Sequence, residues 1–199
     1  MKLMIDMFAG LGGASAAMIN DEDWIVRRFD NNPGLREVQD IHISNDMFYI
    51  VEGCPHDIEL LWASPPCQDF SLGFHSPLSK HYRGEEGYED YEPNMKLLMA
   101  TINTIKKTNP KYWVIENVKG SIKFFEPFLG KPTQIIGSQV LWGNFPFINM
   151  PEGFRDEKKD NDKGPNNPLR SNYRAVIPYE ISLRLKIAVE EQRCLLEWV

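Results

Sequence analysis

Apolar and polar residues follow two different periods along this chain. Four short apolar runs end at a turn signal or an acidic residue, which is typical of buried β-strands; they are LMIDMFAG, WIVRRFD, IELLWAS and YWVIENV. Before the last run, residues 94–107 carry apolar side chains at helical spacing, namely Met95, Leu98, Met99, Ile102 and Ile105. Strands that alternate with helices predict an α/β fold, with a mostly parallel sheet and helices on both faces.

Other stretches complete the expected order of elements. The small residues of GGASAAMIN, directly after the first strand, suit a helix, and a final amphipathic helix is expected to begin just after Pro178. Two polar stretches, residues 73–93 and 151–172, predict long loops, and long loops in compact domains are usually functional or disordered. The chain of 199 residues is expected to form one domain, 1–199.

Composition and charge narrow the class of protein. The formal net charge of −6 argues mildly against extensive contact with duplex DNA, because phosphate binding favours a basic face. Three widely spaced cysteines, Cys54, Cys67 and Cys194, offer no disulfide framework and indicate a reducing compartment. The four histidines show no metal-ligand spacing, so no metal site is expected. The apolar pattern predicts neither a signal peptide nor a membrane span.

The first strand leads into a glycine-rich turn, DMFAGLGG, which contains Gly10, Gly12 and Gly13. Glycines in this position let the backbone approach a ligand and direct amide groups at it, although they also suit a plain tight turn. Asp30 ends the second strand, where an α/β nucleotide site holds ribose hydroxyls, although it also suits a helix N-cap. Asp40 could reach an adenine amino group.

A rigid turn follows the third predicted strand, in the segment ASPPCQDFS. Pro65 and Pro66 stiffen the chain and present Cys67 beyond the carboxyl end of the strand, where α/β folds bind ligands. A thiolate there could act as a nucleophile if its surroundings lower the pKa of the cysteine. Cys54 and Cys194 lack such a context and are expected to be structural.

Glu116 and Asn117 close the fourth predicted strand, at the same edge of the sheet as Cys67. A partly desolvated glutamate can stay protonated near neutral pH and donate a hydrogen bond. Taken alone, the Glu-Asn pair would suit a turn that caps the next helix. Its position beside the cysteine makes it a candidate acid.

In this order, DMFAGLGG, PPCQDFS and ENV resemble the cofactor, nucleophile and acid motifs of the DNA (cytosine-5) methyltransferase family. The resemblance covers roughly the first 145 residues well and the final helix loosely. It implies a Rossmann-like, doubly wound fold and S-adenosyl-L-methionine (SAM) as the cofactor. The candidate cofactor-binding residues are Asp6, Phe8, Ala9, Gly10, Gly12, Gly13, Asp30, Asn31, Asp40, Ile41 and Pro65.

The resemblance also implies a reaction and the residues that perform it. Cys67 would add to C6 of a cytosine, while Glu116 would contact ring N3 and the exocyclic amine. The candidate catalytic residues are Cys67, Glu116, Pro66, Gln68, Asn117 and Arg174. In this family the polar segment after the cysteine closes over the flipped base, and residues 73–93 fit that role.

The chain departs from the family pattern at three points. The segment GSQVLWGNFPF lacks the arginines of the family's Gln-x-Arg-x-Arg motif, for which Arg170 or Arg174 could substitute. The family's Gly-Asn-Ala-Val-Pro element is present only as YRAVIP, without its asparagine. Where family members insert a target recognition domain, this chain has only the polar loop 151–172, so a separate recognition subunit or a homo-oligomer could supply that surface.

The leading hypothesis is therefore an enzyme that methylates cytosine C5 in DNA, cytoplasmic and of prokaryotic or viral origin. RNA or a free cytidine nucleotide is the alternative substrate, which the acidic charge favours. A basic groove of Lys80, Arg83, Lys119 and Lys123 would instead favour a polynucleotide. A SAM-binding or nucleic-acid-binding subunit without turnover is a third hypothesis. A dinucleotide oxidoreductase is a fourth, although the glycines do not form GxGxxG.

Overall fold

The computed structural model describes residues 1–54, 57–156 and 166–192, and within them seven strands form one sheet. The strands are β1 (Lys2–Met7), β2 (Trp24–Asp30), β3 (Ile41–Ile43), β4 (Ile58–Ala63), β5 (Tyr112–Val118), β6 (Gln134–Ile136) and β7 (Gln139–Asn144). The helices are α1 (Met47–Glu52), α2 (Pro77–Tyr82), α3 (Lys96–Thr108), α4 (Ile122–Leu129), α5 (Arg170–Arg174) and α6 (Tyr179–Glu191).

The strand order across the sheet is β3-β2-β1-β4-β5-β7-β6. Strands β1 to β5 pair in parallel, whereas β7 runs antiparallel to both β5 and β6. The chain builds outward from β1 to β3 and then returns to place β4 on the other side of β1. Such a reversal opens a crevice at the carboxyl ends of the two central strands. The segments that follow β1 and β4 therefore flank that crevice.

Side chains that alternate along the strands divide the core between the two faces of the sheet. On one face, Leu3, Ile5 and Met7 of β1 pack in a cluster with buried residues of α1, α3 and α4. On the other face, Met4 packs with buried residues of the segment after the glycine turn and of α6. The predicted α/β fold, mostly parallel and covered on both faces, is confirmed.

The four predicted strands and the helix predicted over residues 94–107 are confirmed as β1, β2, β4, β5 and α3. The final helix is confirmed from Tyr179 to Glu191, and Cys194 lies outside the described residues. Cys54 packs against the core cluster, as a structural cysteine does. Within the described part of the chain, no helix is long and apolar enough to cross a membrane.

The helix predicted in GGASAAMIN is wrong, because residues 14–20 form consecutive turns. Ser182 of α6 gives the physical reason. Its hydroxyl donates to the Ala14 carbonyl at 2.7 Å and accepts from the Ala17 amide at 3.0 Å. A regular helix would pair both backbone groups within itself. The inserted hydroxyl takes them instead and fastens the segment to α6.

The polar stretch 73–93 is not a loop throughout, because it contains α2. Ser76 caps this helix by accepting from the Ser79 amide at 3.3 Å, and Pro77 occupies its first turn. In the second polar stretch, the described residues 151–156 and 166–169 contain no helix or strand, and α5 begins at Arg170.

Candidate active site

The predicted site residues differ widely in burial. Those that are buried are Asp6, Gly12, Gly13, Asp30, Pro65 and Asn117. Those of intermediate exposure are Phe8, Ala9, Gly10, Ile41, Cys67 and Glu116. Those that are exposed are Asn31, Asp40, Pro66, Gln68 and Arg174.

The turn after β1 is tightly packed against its own protein. A Cβ on Gly12, whose φ is +76°, would lie 2.5 Å from the Arg28 guanidinium carbon. A Cβ on Gly13 would lie 2.5 Å from the Ile177 carbonyl oxygen, in the segment before α6. Phe8, which is not a glycine, also has a positive φ of 59°, a conformation that is costly for a bulky side chain. Internal packing therefore accounts for two of the glycines, and the backbone at Phe8 is strained.

A buried polar network supports this turn from below. Ser15 donates to the Asp6 carboxylate at 2.6 Å and accepts from Arg28 Nε at 2.8 Å. Arg28 also donates to the carbonyl oxygens of Gly12, at 3.0 Å, and Gln39, at 3.1 Å. Burial raises the pKa of Asp6 to about 6, against the lowering effects of Ser15 and Arg28. Asp6 is thus a support for the turn, with its side chain enclosed beneath it.

Asp30 holds the top of the same turn from the carboxyl end of β2. Its carboxylate accepts from the Gly10 amide and from the Asn32 amide, each at 2.9 Å. Asn172 completes the arrangement from a distant part of the chain. Its amide oxygen accepts from Asn32 Nδ2 at 3.3 Å, and its Nδ2 is 3.4 Å from where a Cβ of Gly10 would stand. Sequence analysis missed Asn172, which lies close to the YRAVIP segment.

The structure does not bring Asp40 to the carboxyl edge of the sheet. Asp40 directly precedes β3, and its carbonyl oxygen accepts from the Arg28 amide at 3.3 Å, while Ile41 pairs in register with Arg28. Asp46 instead follows the carboxyl end of β3. It is exposed, and its side chain makes no capping hydrogen bond to α1. The sequence signal for Asp46 is an acid three residues beyond β3, and this strand of three residues is too short for a clear periodic pattern.

These residues suit an adenosine-containing cofactor such as SAM. The Phe8 ring is partly exposed and packs edge-on against Phe48, with centroids 5.9 Å apart, which leaves apolar surface for a flat ring. The carboxylates of Asp30 and Asp46 stand at the ends of neighbouring strands, where hydroxyl and amino groups of a nucleoside find acceptors. The chemistry of this set fits the group that the motif resemblance implies.

The cysteine loop after β4 is anchored to the next strand. Asn117 is buried and donates through Nδ2 to the Pro65 carbonyl at 2.9 Å, while its Oδ1 accepts from the Val118 amide at 2.9 Å. The Phe70 amide donates to the Cys67 carbonyl at 3.0 Å, which closes the turn. Asn117 therefore acts by holding the loop that presents the cysteine. The flanking Pro66 and Gln68 face solvent.

The pKa of the Cys67 thiol is shifted by burial and by two charges of opposite sign. Burial raises its pKa first, the nearby Glu116 carboxylate raises it further, and Arg174 of α5 lowers it. The structure thus brings together three residues that are far apart in sequence. Arg174 is exposed, and its charge acts on the Cys67 thiol from α5. The cysteine rests as a thiol at neutral pH, so its attack requires the loss of that proton.

Glu116 is poised to titrate near neutrality. Burial raises its pKa to about 7, a hydrogen bond from the Ser64 hydroxyl lowers it, and the like charge of Asp156 raises it. Ser64 lies just beyond the paired residues Ala63 and Ile115, so it flanks Glu116 on the adjacent parallel strand. Its oxygen also accepts from the Trp62 indole nitrogen at 2.8 Å. That bond uses the oxygen only as an acceptor and leaves the single hydroxyl proton for the Glu116 carboxylate.

Asp156, which no sequence signal singled out, comes to this site from the polar stretch after β7. Its carboxylate accepts from the amide of Ser138 at 3.3 Å and from the hydroxyl of the same residue. At the other end of the stretch, the Leu169 side chain lies 3.2 Å from where a Cβ of Gly34 would stand, beyond the end of β2. The described ends of the stretch thus lie at opposite ends of the carboxyl edge.

Comparisons with known proteins agree with this geometry. The model of the C-5 cytosine-specific DNA methylase family matches residues 3–126, from β1 through most of α4. That range includes the glycine turn, the cysteine loop and Glu116 and covers more than half of the chain. The chain therefore belongs to the C-5 cytosine-specific DNA methylase family.

Individual relatives match different shares of the chain. The Type II methyltransferase M.HpaII of Haemophilus parainfluenzae is 31% identical over 126 residues, which are 58% of this chain and 31% of that protein. The chain thus spans about a third of the length of this curated relative. Two solved structures are 17% identical: one described as a DNA modification methyltransferase encoded within an E. coli prophage (TM-score 0.43, 72% of this chain and 46% of that chain) and the Entamoeba histolytica methyltransferase EhMeth (TM-score 0.42, 79% and 57%).

Proposed function

We propose that this chain transfers a methyl group from SAM to C5 of cytosine in DNA, through a covalent bond between Cys67 and C6 of the base. One observation carries the proposal. A cysteine and a glutamate whose pKa values are both raised by burial lie near each other at the carboxyl ends of β4 and β5, beside the switch point of the sheet. A nucleophile and an acid are the pair that activation of a pyrimidine ring requires.

The two side chains divide the chemistry between them. Glu116, protonated in part at neutral pH, donates its proton to ring N3 and draws electron density from the ring. Cys67 loses its proton to solvent and forms an S–C6 bond, and the displaced π electrons make C5 nucleophilic. SAM, when bound, would supply the methyl group for C5 and leave as S-adenosylhomocysteine. Loss of the C5 proton to solvent, return of the N3 proton to Glu116 and cleavage of the S–C6 bond then restore the aromatic ring, and the released thiolate regains a proton from solvent.

The protonation states of the pair are linked. The charge of Glu116 raises the pKa of Cys67, so a protonated glutamate makes the thiolate easier to form. The coupling therefore disfavours the state in which both groups are charged, so the thiolate that the reaction needs forms beside a protonated Glu116. Arg174 adds to this by stabilising the thiolate. We expect Arg174→Ala to lower kcat several-fold, with unchanged affinity for SAM, and wild-type kinetics in that variant would return Arg174 to an ordinary surface role.

The residues around the glycine turn would hold the cofactor. Asp30 would take the ribose hydroxyls, Asp46 is better placed than Asp40 for the adenine amino group, and Phe8 offers its ring to the adenine. Asn172 stands over the turn where it can contact the cofactor. Asn31 and Pro65 lie at the same edge of the sheet, whereas Ile41 begins β3 and Asp6 is buried beneath the turn.

The test is transfer of tritiated methyl from SAM to four acceptors offered in parallel: duplex DNA, single-stranded DNA, tRNA and dCMP. We expect label in DNA, and a loss of more than about a thousandfold in Cys67→Ser, because the hydroxyl is a far weaker nucleophile at neutral pH. Cys54→Ser serves as the matched control and keeps activity, since Cys54 packs in the core.

Each outcome has a distinct meaning. Label in tRNA or dCMP alone would keep the chemistry and replace DNA by RNA or a free nucleotide. SAM binding without transfer to any acceptor would support a separate recognition subunit or a binding role without turnover. Full activity in Cys67→Ser would contradict the covalent mechanism.

A further inference from the structure

A groove of about 290 Å³ lies outside the residues assigned above. Its lining combines cations with exposed apolar groups, namely Leu72, Tyr82, Lys119, Gly120, Ile122, Lys123 and Glu126. One wall comes from α2 and the segment before it, and the other from the turn after β5 and from α4. The groove therefore separates the polar stretch 73–93 from the body of the sheet.

The groove begins where the two chain segments that leave the candidate site meet. A Cβ on Gly120 would overlap the Phe70 carbonyl oxygen and lie 3.1 Å from Leu72, so the segments are in direct backbone contact. The Phe70 amide donates a hydrogen bond to the Cys67 carbonyl, and Lys119 is three residues beyond Glu116. Three residues span at most about 11 Å. A nucleic-acid strand with one nucleotide at Cys67 would reach this groove with a neighbouring nucleotide.

Two lysines give the groove its charge. Within the described residues, neither Lys119 nor Lys123 forms an ion pair. Lys123 Nζ lies 4.5 Å from the centre of the Tyr82 ring and 4.6 Å from that of Phe124, which orients the ammonium group without neutralising it. Glu126 is the single acid in the lining, so the groove is locally positive in a chain of net charge −6.

The other cations of the expected basic groove are engaged elsewhere. Arg83 pairs with Glu85 at 2.5 Å and donates to the Phe74 carbonyl at 2.6 Å. Lys80 donates to the Tyr88 hydroxyl at 3.2 Å and lies 4.8 Å from its ring centre. These contacts organise the 73–93 segment itself. Lys119 and Lys123 remain available to an external anion.

Apolar surface lies beside these cations. Tyr82 is 51% exposed and Leu72 is 56% exposed, although burial of such large apolar groups is favourable. An aromatic ring beside lysines is the combination with which proteins hold a nucleic-acid strand, because bases stack on the ring and phosphates pair with the cations. A free nucleotide bound at Cys67 would leave this surface unused.

We propose that this groove binds the nucleotide next to the target cytosine on the same DNA strand, with its phosphate at Lys119 and Lys123 and its base or sugar on Tyr82 and Leu72. The proposal rests on the proposed function and deepens it, because it assigns the surface that holds the DNA strand beside the target base. It also gives the strand a direction of exit, between α2 and α4.

The test is equilibrium binding of a fluorescein-labelled, cytosine-containing single-stranded DNA, followed by anisotropy over a series of salt concentrations. We expect Lys119→Ala/Lys123→Ala to weaken binding at least tenfold at low salt. The slope of log K against log salt should become shallower by about 0.7 for each phosphate that the variant no longer neutralises. Tyr82→Ala should weaken binding on the order of tenfold with an unchanged slope, because stacking releases no counterion.

Lys131→Ala is the matched control, an exposed lysine outside the groove that should keep the wild-type affinity and slope. A double lysine variant with the wild-type slope would overturn the proposal. So would an RNA of the same sequence that binds more tightly than the DNA, or methyl transfer to dCMP as efficient as transfer to the oligonucleotide.

The experiments distinguish a failure of the groove proposal from a failure of the proposed function. Cys67→Ser should bind the oligonucleotide as the wild type does, because binding does not require turnover. Groove-dependent binding without methyl transfer by the wild type would support the groove and contradict the reaction. If Lys119→Ala/Lys123→Ala methylates DNA as fast as the wild type does, the result would support the proposed reaction and contradict the groove proposal.

Discussion

The two segments that flank the switch point are stabilised in opposite ways. In the glycine turn after β1, buried polar groups satisfy one another, with Arg28 as the central donor and Asp30 as the clamp. In the cysteine loop after β4, the backbone is clamped by Asn117, but the reactive groups are not neutralised. Burial raises the pKa values of Cys67 and Glu116, as it raises that of Asp6, but at Asp6 a hydrogen bond from Ser15 and the charge of the buried Arg28 oppose the rise.

This difference matches the roles proposed for the two segments. A turn that receives a cofactor needs a fixed shape, and closed hydrogen-bond networks supply rigidity. A loop that performs proton transfer needs groups whose pKa values lie near the working pH, and desolvation supplies that shift. Rigidity on one side of the crevice and adjustable protonation on the other can each be tested by single substitutions.

The largest expected effect is on the rigid side. Arg28→Met should lower the free energy of unfolding by about 3 kcal/mol, because it removes the donors that pair with the buried Asp6 network. Urea unfolding followed by circular dichroism measures this. Arg27→Met is the matched control, since Arg27 points to the opposite face of β2 and is only partly buried. A loss below about 1 kcal/mol in Arg28→Met would show that the network is dispensable.

The next effect concerns Glu116 and the pH dependence of stability. The pKa of Glu116 is about 7 in the folded chain, against an ordinary value of 4.5. The folded state therefore binds a proton that the unfolded state releases between these values, so stability is highest below pH 4.5 and falls as pH rises through 7. We expect this group to contribute on the order of 2 to 3 kcal/mol across the window.

Urea unfolding at pH 5 and pH 8 isolates this contribution. Glu116→Gln should lose most of the difference between the two pH values that the wild type shows. Asp6 titrates in the same direction and remains in both proteins, so the comparison cancels its effect. The exposed Glu22→Gln should behave as the wild type does. An unchanged pH dependence in Glu116→Gln would contradict the raised pKa.

A smaller effect is expected on cofactor affinity. Asp30→Ala should weaken SAM binding about tenfold, because it removes both a ribose acceptor and the clamp on the Gly10 amide. Asp30→Asn keeps an acceptor for that amide and should bind more tightly than Asp30→Ala. Isothermal calorimetry with SAM measures both. Wild-type affinity in Asp30→Ala would refute the role in the cofactor site.

The smallest effect tests the tuning of the acid. Ser64→Ala removes a hydrogen bond that lowers the pKa of Glu116, so that pKa should rise. Because Glu116 must be protonated to donate to the ring, the alkaline limb of the kcat/KM profile should move to higher pH. Ser64→Thr keeps the hydroxyl and should restore the wild-type limb. A limb that stays in place in Ser64→Ala, whatever its effect on the maximal rate, would exclude this role.

The spacing of apolar residues predicted those strands and helices in which that spacing matches the period of the element. The four central strands and α3 have clear apolar spacing, and each was predicted close to its observed bounds. Shorter elements, such as β3 and α2, carry too few residues for a period to stand out, so they were missed. The segment after the glycine turn was wrongly predicted as a helix, because the Ser182 hydroxyl that replaces its backbone pairing comes from the far end of the chain.

The candidate site also contains residues that the sequence could single out and residues that it could not. Cys67 and Glu116 could be identified from sequence because each ends a recognisable strand, and parallel strands present their carboxyl ends at one edge. Ser64, Asp156 and Asn172 could not, because each acts through a contact with a residue distant in sequence.

The sequence alone determined the fold class and the family, and it singled out Cys67 and Glu116 as the proposed nucleophile and acid, since these inferences depend on local spacing. Only the tertiary structure decided that Asp6 is a buried support and that Asp46 stands where Asp40 was expected. The tertiary structure also decided which lysines stay unpaired in the groove. Burial, pairing and charge interactions are properties of neighbours in space, and a linear pattern does not contain them.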